Sequence, residues 1–165
     1  MDKMTFENHY MKQFDEELEE IRTRLMEMGG KVEQQLQNAI RAIGEADSQL
    51  AEEVIKEEQL VDNMEVDIDE ACILIIARRQ PAASDLRLVM MVTKAVNDLE
   101  RIGDEAKKIA NHALILADEG GSSKGYTEVR HLGQSVMSML SNALDAFARF
   151  DVDAAMRTIE EDKQI

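Results

Sequence analysis

The chain contains a single proline, Pro81, and apolar residues recur at helical spacing on both sides of it. Proline ends a helix because it lacks a backbone N–H and its ring clashes with the preceding turn. The pattern therefore predicts two long helices that meet at Pro81 and fold back on each other. One proline and eight glycines are too few for a turn-rich β protein, and the many Leu, Ala, Glu and Met residues favour helix. We therefore expect an all-α fold.

The apolar period predicts five helices. Their approximate bounds are residues 6–43, 48–79, 84–116, 126–150 and 152–165. The first helix passes through Gly29 and Gly30, which lower its helix propensity by about 2 kcal/mol. Asp47 or Ser48 is expected to cap the second helix and Ser84 the third, because short polar side chains accept hydrogen bonds from the first free N–H groups of a helix.

A sequence repeat underlies this helical pattern. When the sequence is shifted by 104 residues, segment 28–61 aligns with 132–165 without a gap, and ten of the thirty-four pairs are identical. The identical pairs are Gly29/Gly133, Val32/Val136, Leu36/Leu140, Asn38/Asn142, Ala39/Ala143, Ala42/Ala146, Asp47/Asp151, Ala51/Ala155, Ile55/Ile159 and Glu57/Glu161. A repeat of this length indicates two copies of one helical unit.

The repeat predicts the domain organisation. We expect tandem three-helix bundles built from long antiparallel helices, as in spectrin repeats, with residues 1–118 forming the first bundle. Residues 119–165 would form the first part of a second bundle. The second bundle is expected to be incomplete, as in a truncated chain, because the counterpart of the third helix would lie beyond Ile165. An uncovered apolar stripe favours docking on a second copy of the chain, so we expect a homodimer.

Charge and cysteine content exclude several kinds of partner. The net charge is −15, so nucleic acids and anionic membrane surfaces would repel the protein, whereas cations and basic proteins would not. No apolar signal core is present, and the longest apolar run, residues 71–77, is too short to cross a bilayer. Cys72 is the only cysteine, which suits a reducing compartment. We expect a soluble, cytoplasmic protein that neither binds nucleic acid nor inserts into a membrane.

Acidic residues lie on one face of each helix that flanks Pro81. The second helix carries Glu58, Asp62, Glu65 and Asp69 on one face, and the third carries Asn97, Glu100 and Asp104. Glu58 and Asp104 lie 23 residues on either side of Pro81, and Asp62 and Glu100 lie 19 residues on either side. A hairpin with this mirror register places Glu58 opposite Asp104 and Asp62 opposite Glu100. The same register pairs Glu65 with Asn97 and Asp69 with Thr93.

This arrangement has two readings. Like charges that face each other are destabilising, so a bound cation would explain why no Lys or Arg interrupts the facing acids. Alternatively, the acids form a solvated face that Arg101 and Lys108 partly neutralise. Oxygen ligands without a histidine at matching spacing favour Mg²⁺, Mn²⁺, Ca²⁺ or ferric iron over Zn²⁺. The candidate metal ligands are Glu58, Asp62, Glu65, Glu100 and Asp104.

Three arginines, Arg78, Arg79 and Arg87, surround the predicted turn. They are candidates for contact with an anion or an acidic partner. The alternative is that they cap the second helix and pair with acids such as Asp85. The chain has no glycine-rich phosphate loop and no assignable Ser/His/Asp arrangement, so no catalytic residue is predicted.

Three strings around the same hairpin resemble the PhoU family, the phosphate-specific transport system accessory proteins of bacteria. They are residues 64–72 (MEVDIDEAC), 79–87 (RQPAASDLR) and 98–104 (DLERIGD). The resemblance implies two similar three-helix bundles whose E(D)-x-x-x-D motifs hold metal ions. These ions are iron or zinc clusters in some members and Mg or Mn in others.

On this sequence the implied motifs are Glu58/Asp62 and Glu100/Asp104, and Asp162 aligns with Glu58 in the second repeat. The resemblance further implies a non-enzymatic regulator that represses the phosphate-starvation response. It would link the ATPase subunit of the phosphate ABC transporter to the sensor histidine kinase of the response. The alternative is a metal-dependent hydrolase or a metal-handling helical bundle that uses the same carboxylates. A purely structural helical protein is the third possibility.

Overall fold

The structure is a computed structural model that describes the backbone of residues 3–119 and 127–163, and side chains from Lys12 onward. The described residues form five helices and no strand, which confirms the all-α prediction. The helices are α1 (Lys3–Glu45), α2 (Ser48–Arg79), α3 (Ala83–Asp118), α4 (Thr127–Arg149) and α5 (Val152–Asp162). None of the helices in the described residues is long and apolar enough to cross a membrane.

Helices α1, α2 and α3 pack together along their lengths and enclose the main hydrophobic core. Buried residues on each helix alternate at spacings of three and four. This pattern is typical of long helices whose axes are nearly aligned, whatever their chain direction. On α3 this stripe includes Val89, Val92, Val96, Leu99, Ala106 and Ala110. The small side chains on the second half of α3 allow its backbone to approach α1 and α2 closely.

The turn between α2 and α3 ends one helix and begins the next within three residues. Gln80 adopts a left-handed conformation with φ 50°, and its N–H donates to the carbonyl of Ile76 at 3.1 Å. Helix α3 then begins at Ala83 with Ala82 in the capping position. The expected Ser84 cap is wrong, because the Ser84 hydroxyl lies past the helix start and donates to Asp85 at 3.3 Å.

The α1–α2 and α4–α5 connections have the same geometry, one in each copy of the sequence repeat. Ala46 has φ 52° and its counterpart Phe150 has φ 53°. Asp47 then accepts a hydrogen bond from the Leu50 N–H at 3.0 Å, as expected for the cap of α2. Asp151 caps α5 in the same way, through the Ala154 N–H at 2.9 Å. The sequence repeat is therefore also a repeat of backbone structure.

Helix α4 packs against α1, and two glycines make this contact close. A Cβ atom added to Gly29 would lie 2.6 Å from the Leu144 side chain, and one added to Gly133 would lie 2.7 Å from Ile40. These two pairs are exact counterparts at the repeat distance of 104 residues. The two long helices therefore cross in a nearly two-fold symmetric manner, with a glycine of each receiving a branched side chain of the other.

Arg22 joins α1 to the end of α4. Its guanidinium donates to the carbonyl of Ala148 at 3.2 Å and lies over the Phe150 ring, 4.6 Å from the centroid. The last carbonyls of a helix have no partner within the helix, so a cation there satisfies one of them and favours the helix dipole. This contact therefore fixes the α4–α5 connection on α1.

The α1–α4 crossing predicts opposite effects for two adjacent glycine substitutions. Gly30→Ala should stabilise the chain by up to about 1 kcal/mol, because alanine favours helix and nothing lies within 4 Å of the added Cβ. Gly29→Ala should lose that gain or destabilise, because Leu144 must move. Urea unfolding of both variants measures the difference. Equal stabilisation by the two substitutions would contradict the close crossing.

Candidate functional site

Two glutamates interrupt the apolar stripe of α2. The stripe comprises Val54, Glu58, Val61, Glu65, Ile68, Cys72 and Ile75 at alternating spacings of four and three. Glu58 is buried with 8% relative exposure, and Glu65 is half-buried. Carboxylates at such positions cost stability unless a partner compensates them. The sequence therefore places these two acids where packing alone would favour apolar residues.

The neighbouring acids complete a group that we call the carboxylate cluster. Its members are Glu58, Asp62, Glu65 and Asp69 on α2, and Glu100 and Asp104 on α3. Asp62, Asp69, Glu100 and Asp104 are each half-buried. The α2–α3 hairpin thus brings together all five residues that the sequence analysis assigned as metal ligands, plus Asp69.

Burial and repulsion from neighbouring acids raise the pKa of two members of this cluster, Glu65 and Glu100. Desolvation raises the pKa of Glu100, and the charges of Asp104 and Glu65 raise it further. Desolvation likewise raises the pKa of Glu65, with Asp69 and Asp62 adding to the effect. Among the described side chains, none forms an ion pair with Glu65 or Glu100. This part of the cluster therefore carries uncompensated negative charge.

Lys107 compensates the other end of the cluster. Its ammonium donates to the Glu58 carboxylate, and this hydrogen bond is the main cause of the raised pKa of Lys107. Asp104 and Asp62 also attract the ammonium. The sequence analysis found no Lys or Arg among the facing acids, and that statement is wrong. Lys107 lies three residues after Asp104 and seven after Glu100, so helical spacing could have placed it on the same face.

The two cations that the sequence analysis considered are engaged elsewhere. Arg101 lies 3.8 Å from Asp98, and Lys108 lies 2.7 Å from Glu105. Both pairs connect exposed side chains on one helix, where water and salt screen the attraction.

The contacts between α2 and α3 lie about one helical turn from the predicted mirror register. Glu58 contacts Lys107 rather than Asp104, and Thr93 contacts Cys72 rather than Asp69. Side chains tilt towards the N-terminus of their own helix, so in an antiparallel pair they lean in opposite directions. A register drawn from residue numbers alone ignores this tilt, and it therefore misplaces the facing pairs.

Two buried polar atoms near the hairpin lack partners. The Asp69 Oδ1 atom and the Gln35 Oε1 atom are buried, and neither has a hydrogen-bond partner among the described residues. Gln35, which the sequence analysis did not single out, donates through Nε2 to the Val54 carbonyl at 3.4 Å. A Cβ atom on Gly103 would lie 3.2 Å from Gln35 Oε1, so this glycine makes room for the amide. The sequence signal for Gln35 was a glutamine on the apolar stripe of α1.

The chemistry of the cluster fits a hard cation, although the side chains do not converge on one. In residues 12–119 and 127–163, no group of three or more His, Cys, Asp or Glu side chains is arranged to hold a metal ion. The donors are nevertheless all carboxylate oxygens, the ligands that Mg²⁺, Mn²⁺ and Ca²⁺ prefer. Within the part of the chain that the structure describes, Asp69 keeps one buried oxygen without a hydrogen-bond partner, and the Lys107 ammonium contacts the Glu58 carboxylate.

The three arginines of the hairpin turn differ in burial and in their contacts. Arg79 binds Glu17 of α1 through two nitrogens, at 2.6 and 2.9 Å, and its side chain is 9% exposed. This bidentate contact lowers the pKa of Glu17 and joins the end of α2 to α1. Arg78 adds a smaller effect on the same carboxyl. Arg78 and Arg87 are exposed.

Curated relatives match the whole chain. A phosphate-specific transport system accessory protein PhoU homolog from Pseudomonas putida is 52% identical over 165 residues, which is all of this chain and 64% of that protein. The phosphate-specific transport system accessory protein PhoU from Escherichia coli K12 is 49% identical over all of this chain and 68% of its own length. The chain thus spans about two thirds of the length of these relatives.

Solved structures share the fold. The crystal structure of PhoU from Pseudomonas aeruginosa aligns with a TM-score of 0.88 and 52% identity, over 92% of this chain and 72% of that one. The phosphate transport system regulatory protein PhoU from Streptococcus pneumoniae aligns with a TM-score of 0.83 at 28% identity, over 92% of this chain and 70% of that one.

The PhoU domain family matches residues 25–113, which contain the whole of α2, most of α3 and every member of the carboxylate cluster. Since this match covers more than half of the chain, and relatives near 50% identity align over all of it, the chain belongs to the PhoU family.

Proposed function

We propose that this chain is an accessory protein of phosphate-specific transport that regulates phosphate uptake and represses the phosphate-starvation response. It acts as an adaptor between the phosphate ABC transporter, through its ATPase subunit, and a sensor histidine kinase. The observation that carries this proposal is the similarity of about 50% identity, over the entire chain, to proteins named for that transport system. The relatives are named accessory proteins, and we expect no catalytic activity.

The helical surface supports an adaptor role. Large apolar side chains are exposed on the outer faces of α2 and α3, among them Leu60, Val66, Ile73, Leu86 and Met90. Exposed apolar side chains on long helices can receive the helices of another protein. The net charge of −15 favours basic partner surfaces and would speed association with them.

The metal-binding part of the proposal rests on the carboxylate cluster. A divalent or ferric cation, with Mg, Mn, Fe or Zn as candidates, would be held by Glu58, Asp62, Glu65, Glu100 and Asp104. Repulsion between Glu65 and Glu100 supports this, because a cation between α2 and α3 would turn that repulsion into attraction. The cation would then stabilise the hairpin against opening.

A homodimer is the second assembly that we propose. Helices α4 and α5 are the repeat counterparts of α1 and α2. Helix α3 covers the apolar face of α1 and α2. We assign α4 and α5 to the first part of a second bundle. An apolar groove of about 540 Å³ lies along them, lined by residues that include Phe147, Phe150, Val152 and Ile159. The repeat predicts that a helix of the α3 type fills this groove, and a second copy of the chain can supply one.

Removing the charge of Glu100 should have opposite effects with and without a cation. With chelator at pH 7, Glu100→Gln should stabilise the chain by up to about 1 kcal/mol, because a repelled carboxylate is lost. The pKa of Glu100 is higher in the folded chain than its ordinary value of 4.5, so folding loses stability as the pH rises between the two values. The stabilisation by Glu100→Gln should therefore disappear below about pH 4, where the Glu100 carboxyl is protonated in both the folded and the unfolded chain.

With Mn²⁺ in place of chelator, the melting temperature of the unmodified chain should rise, and that of Glu100→Gln/Asp104→Asn should not. Asp98→Asn, at an exposed position on α3, is the matched control and should behave like the unmodified chain. Thermal melts with elemental analysis of the purified protein measure both effects. Equal metal content and equal melting temperatures in the double variant would refute the cation site.

Adaptor function requires direct binding to both proposed partners. The purified chain should bind the isolated ATPase subunit of the phosphate ABC transporter and the soluble part of the sensor histidine kinase in calorimetric titrations. A negative charge introduced on the apolar outer face, as in Met90→Glu, should weaken binding to a partner that docks there by about tenfold or more. Steady hydrolysis of a phosphoester by the purified chain, without binding to either protein, would favour the alternative of a metal-dependent hydrolase.

The dimer proposal predicts a mass of twice 18.6 kDa in sedimentation equilibrium at micromolar concentration. Ile159→Asp should shift this mass to that of the monomer, because it places a charge in the apolar groove. Leu60→Asp, at an exposed position on α2, is the control and should leave the mass unchanged. A monomeric mass for the unmodified chain would rule out the dimer.

A further inference from the structure

Gln35 places an amide inside the apolar core that α1, α2 and α3 enclose. Among the side chains that the structure describes, Gln35 and Glu58 are the only polar ones that are buried, and Gln35 is 1% exposed. Its Nε2 donates to the Val54 carbonyl at 3.4 Å, whereas its Oε1 has no partner within residues 12–119 and 127–163. A buried acceptor without a partner costs stability. Stability alone would therefore favour an apolar side chain of similar size at this position.

Helices α2 and α3 fit this amide at one level of the bundle. A Cβ atom added to Gly103 of α3 would lie 3.2 Å from Gln35 Oε1 and 3.4 Å from Val61 of α2. Glycine therefore leaves the space on α3 that the amide needs, and the Val54 carbonyl of α2 accepts its hydrogen bond. If α1 moved along its axis by one turn, the amide would lose both. The amide thus fits the α2–α3 hairpin at a single axial position of α1.

Helix α4 resembles α1 along the same stripe. The buried apolar residues of α1 between positions 28 and 42 all have apolar counterparts on α4, which are Leu132, Val136, Leu140, Ala143 and Ala146. The counterpart of Gln35 is Met139, so the two copies differ in polarity at this one buried position of the segment. Leu132 and Val136 are 52% and 40% exposed. Helix α4 therefore offers nearly the same apolar surface as α1, partly uncovered and without the amide.

We propose that Gln35 determines which helix packs on the α2–α3 hairpin, and in which register. It selects α1 over α4, whether α4 comes from the same chain or from a second copy. The apolar stripe alone would accept either helix and several axial positions, because its spacing repeats along the chain. An amide desolvated against apolar side chains raises the free energy of each wrong arrangement more than that of the correct one. The selection costs stability and involves neither a cation nor a partner protein.

Gln35→Met tests this inference, because it gives α1 the residue that α4 carries at the same position. Thermal melts measure stability, and the backbone amide resonances in a two-dimensional NMR spectrum count the arrangements present. The melting temperature should rise by a few degrees, because the unpartnered acceptor is gone. A second set of resonances from α1, α2 and α3 should appear at roughly a tenth of the main intensity, because other arrangements are then populated. The unmodified chain should show one set.

Two controls accompany this variant. Leu36→Met exchanges one apolar side chain for another at the neighbouring buried position and should retain a single set of resonances. Gly103→Ala should lower the melting temperature of the unmodified chain, because the added methyl group meets Gln35 Oε1. The same substitution should lower it far less in a Gln35→Ala background, where that contact is absent. This pair of measurements tests the fit between the amide and α3 directly.

Each contrary outcome overturns the inference. A lower melting temperature for Gln35→Met would show that the amide stabilises the bundle, so that stability alone explains it. A higher melting temperature with one set of resonances would show that the amide selects nothing. Extra resonances in Leu36→Met as well would indicate a general loss of packing, and equal effects of Gly103→Ala in both backgrounds would refute the fit to α3. Failure of the chain to bind cations or partner proteins would leave the inference intact.

Discussion

The packing of α2 against α3 depends on how charge is balanced within an otherwise apolar seam. Glu58 and Glu65 occupy positions where helices of this kind normally carry Val, Leu or Ile, and both face further acids on α3. One ammonium, from Lys107, compensates part of this charge. The rest of the bundle has well-packed apolar layers above and below the acids, so it can tolerate the cost. The repulsion around Glu65 and Glu100 therefore lowers the stability of the hairpin when nothing neutralises them.

Much of this fold follows from the sequence. Apolar spacing predicted the five helices to within a few residues, and the structure shows that the identical residues Asp47 and Asp151 cap two matching helix starts. The facing pairs could not be predicted in detail, because side-chain tilt shifts the contacts by a turn and residue counts do not contain it. Arg101 and Lys108 were predicted to neutralise part of the charge, whereas the ion pair with the cluster comes from Lys107, which helical spacing alone places on the correct face.

The two copies of the repeat pack directly against each other through α1 and α4. Gly29 accepts Leu144, and its counterpart Gly133 accepts Ile40, so each copy inserts the same kind of side chain into the other. Either glycine alone would be an unremarkable interruption of a helix, costing about 1 kcal/mol of helix propensity. Together they let two long helices cross at close range. The propensity lost within each helix is thus offset by contact between them, which sequence reasoning within one helix could not reveal.

The lone thiol of the chain is buried on the face of α2 that meets α3. Cys72 is 1% exposed, and burial raises its pKa, so its reactive thiolate form is suppressed while α2 and α3 remain together. A thiol reagent can reach the sulfur only when the two helices separate. Since the chain has no other cysteine, its rate of modification reports that separation without any introduced label. The rate of Cys72 modification therefore measures how often the hairpin opens. Any interaction that holds the acids of α2 and α3 together should lower this rate.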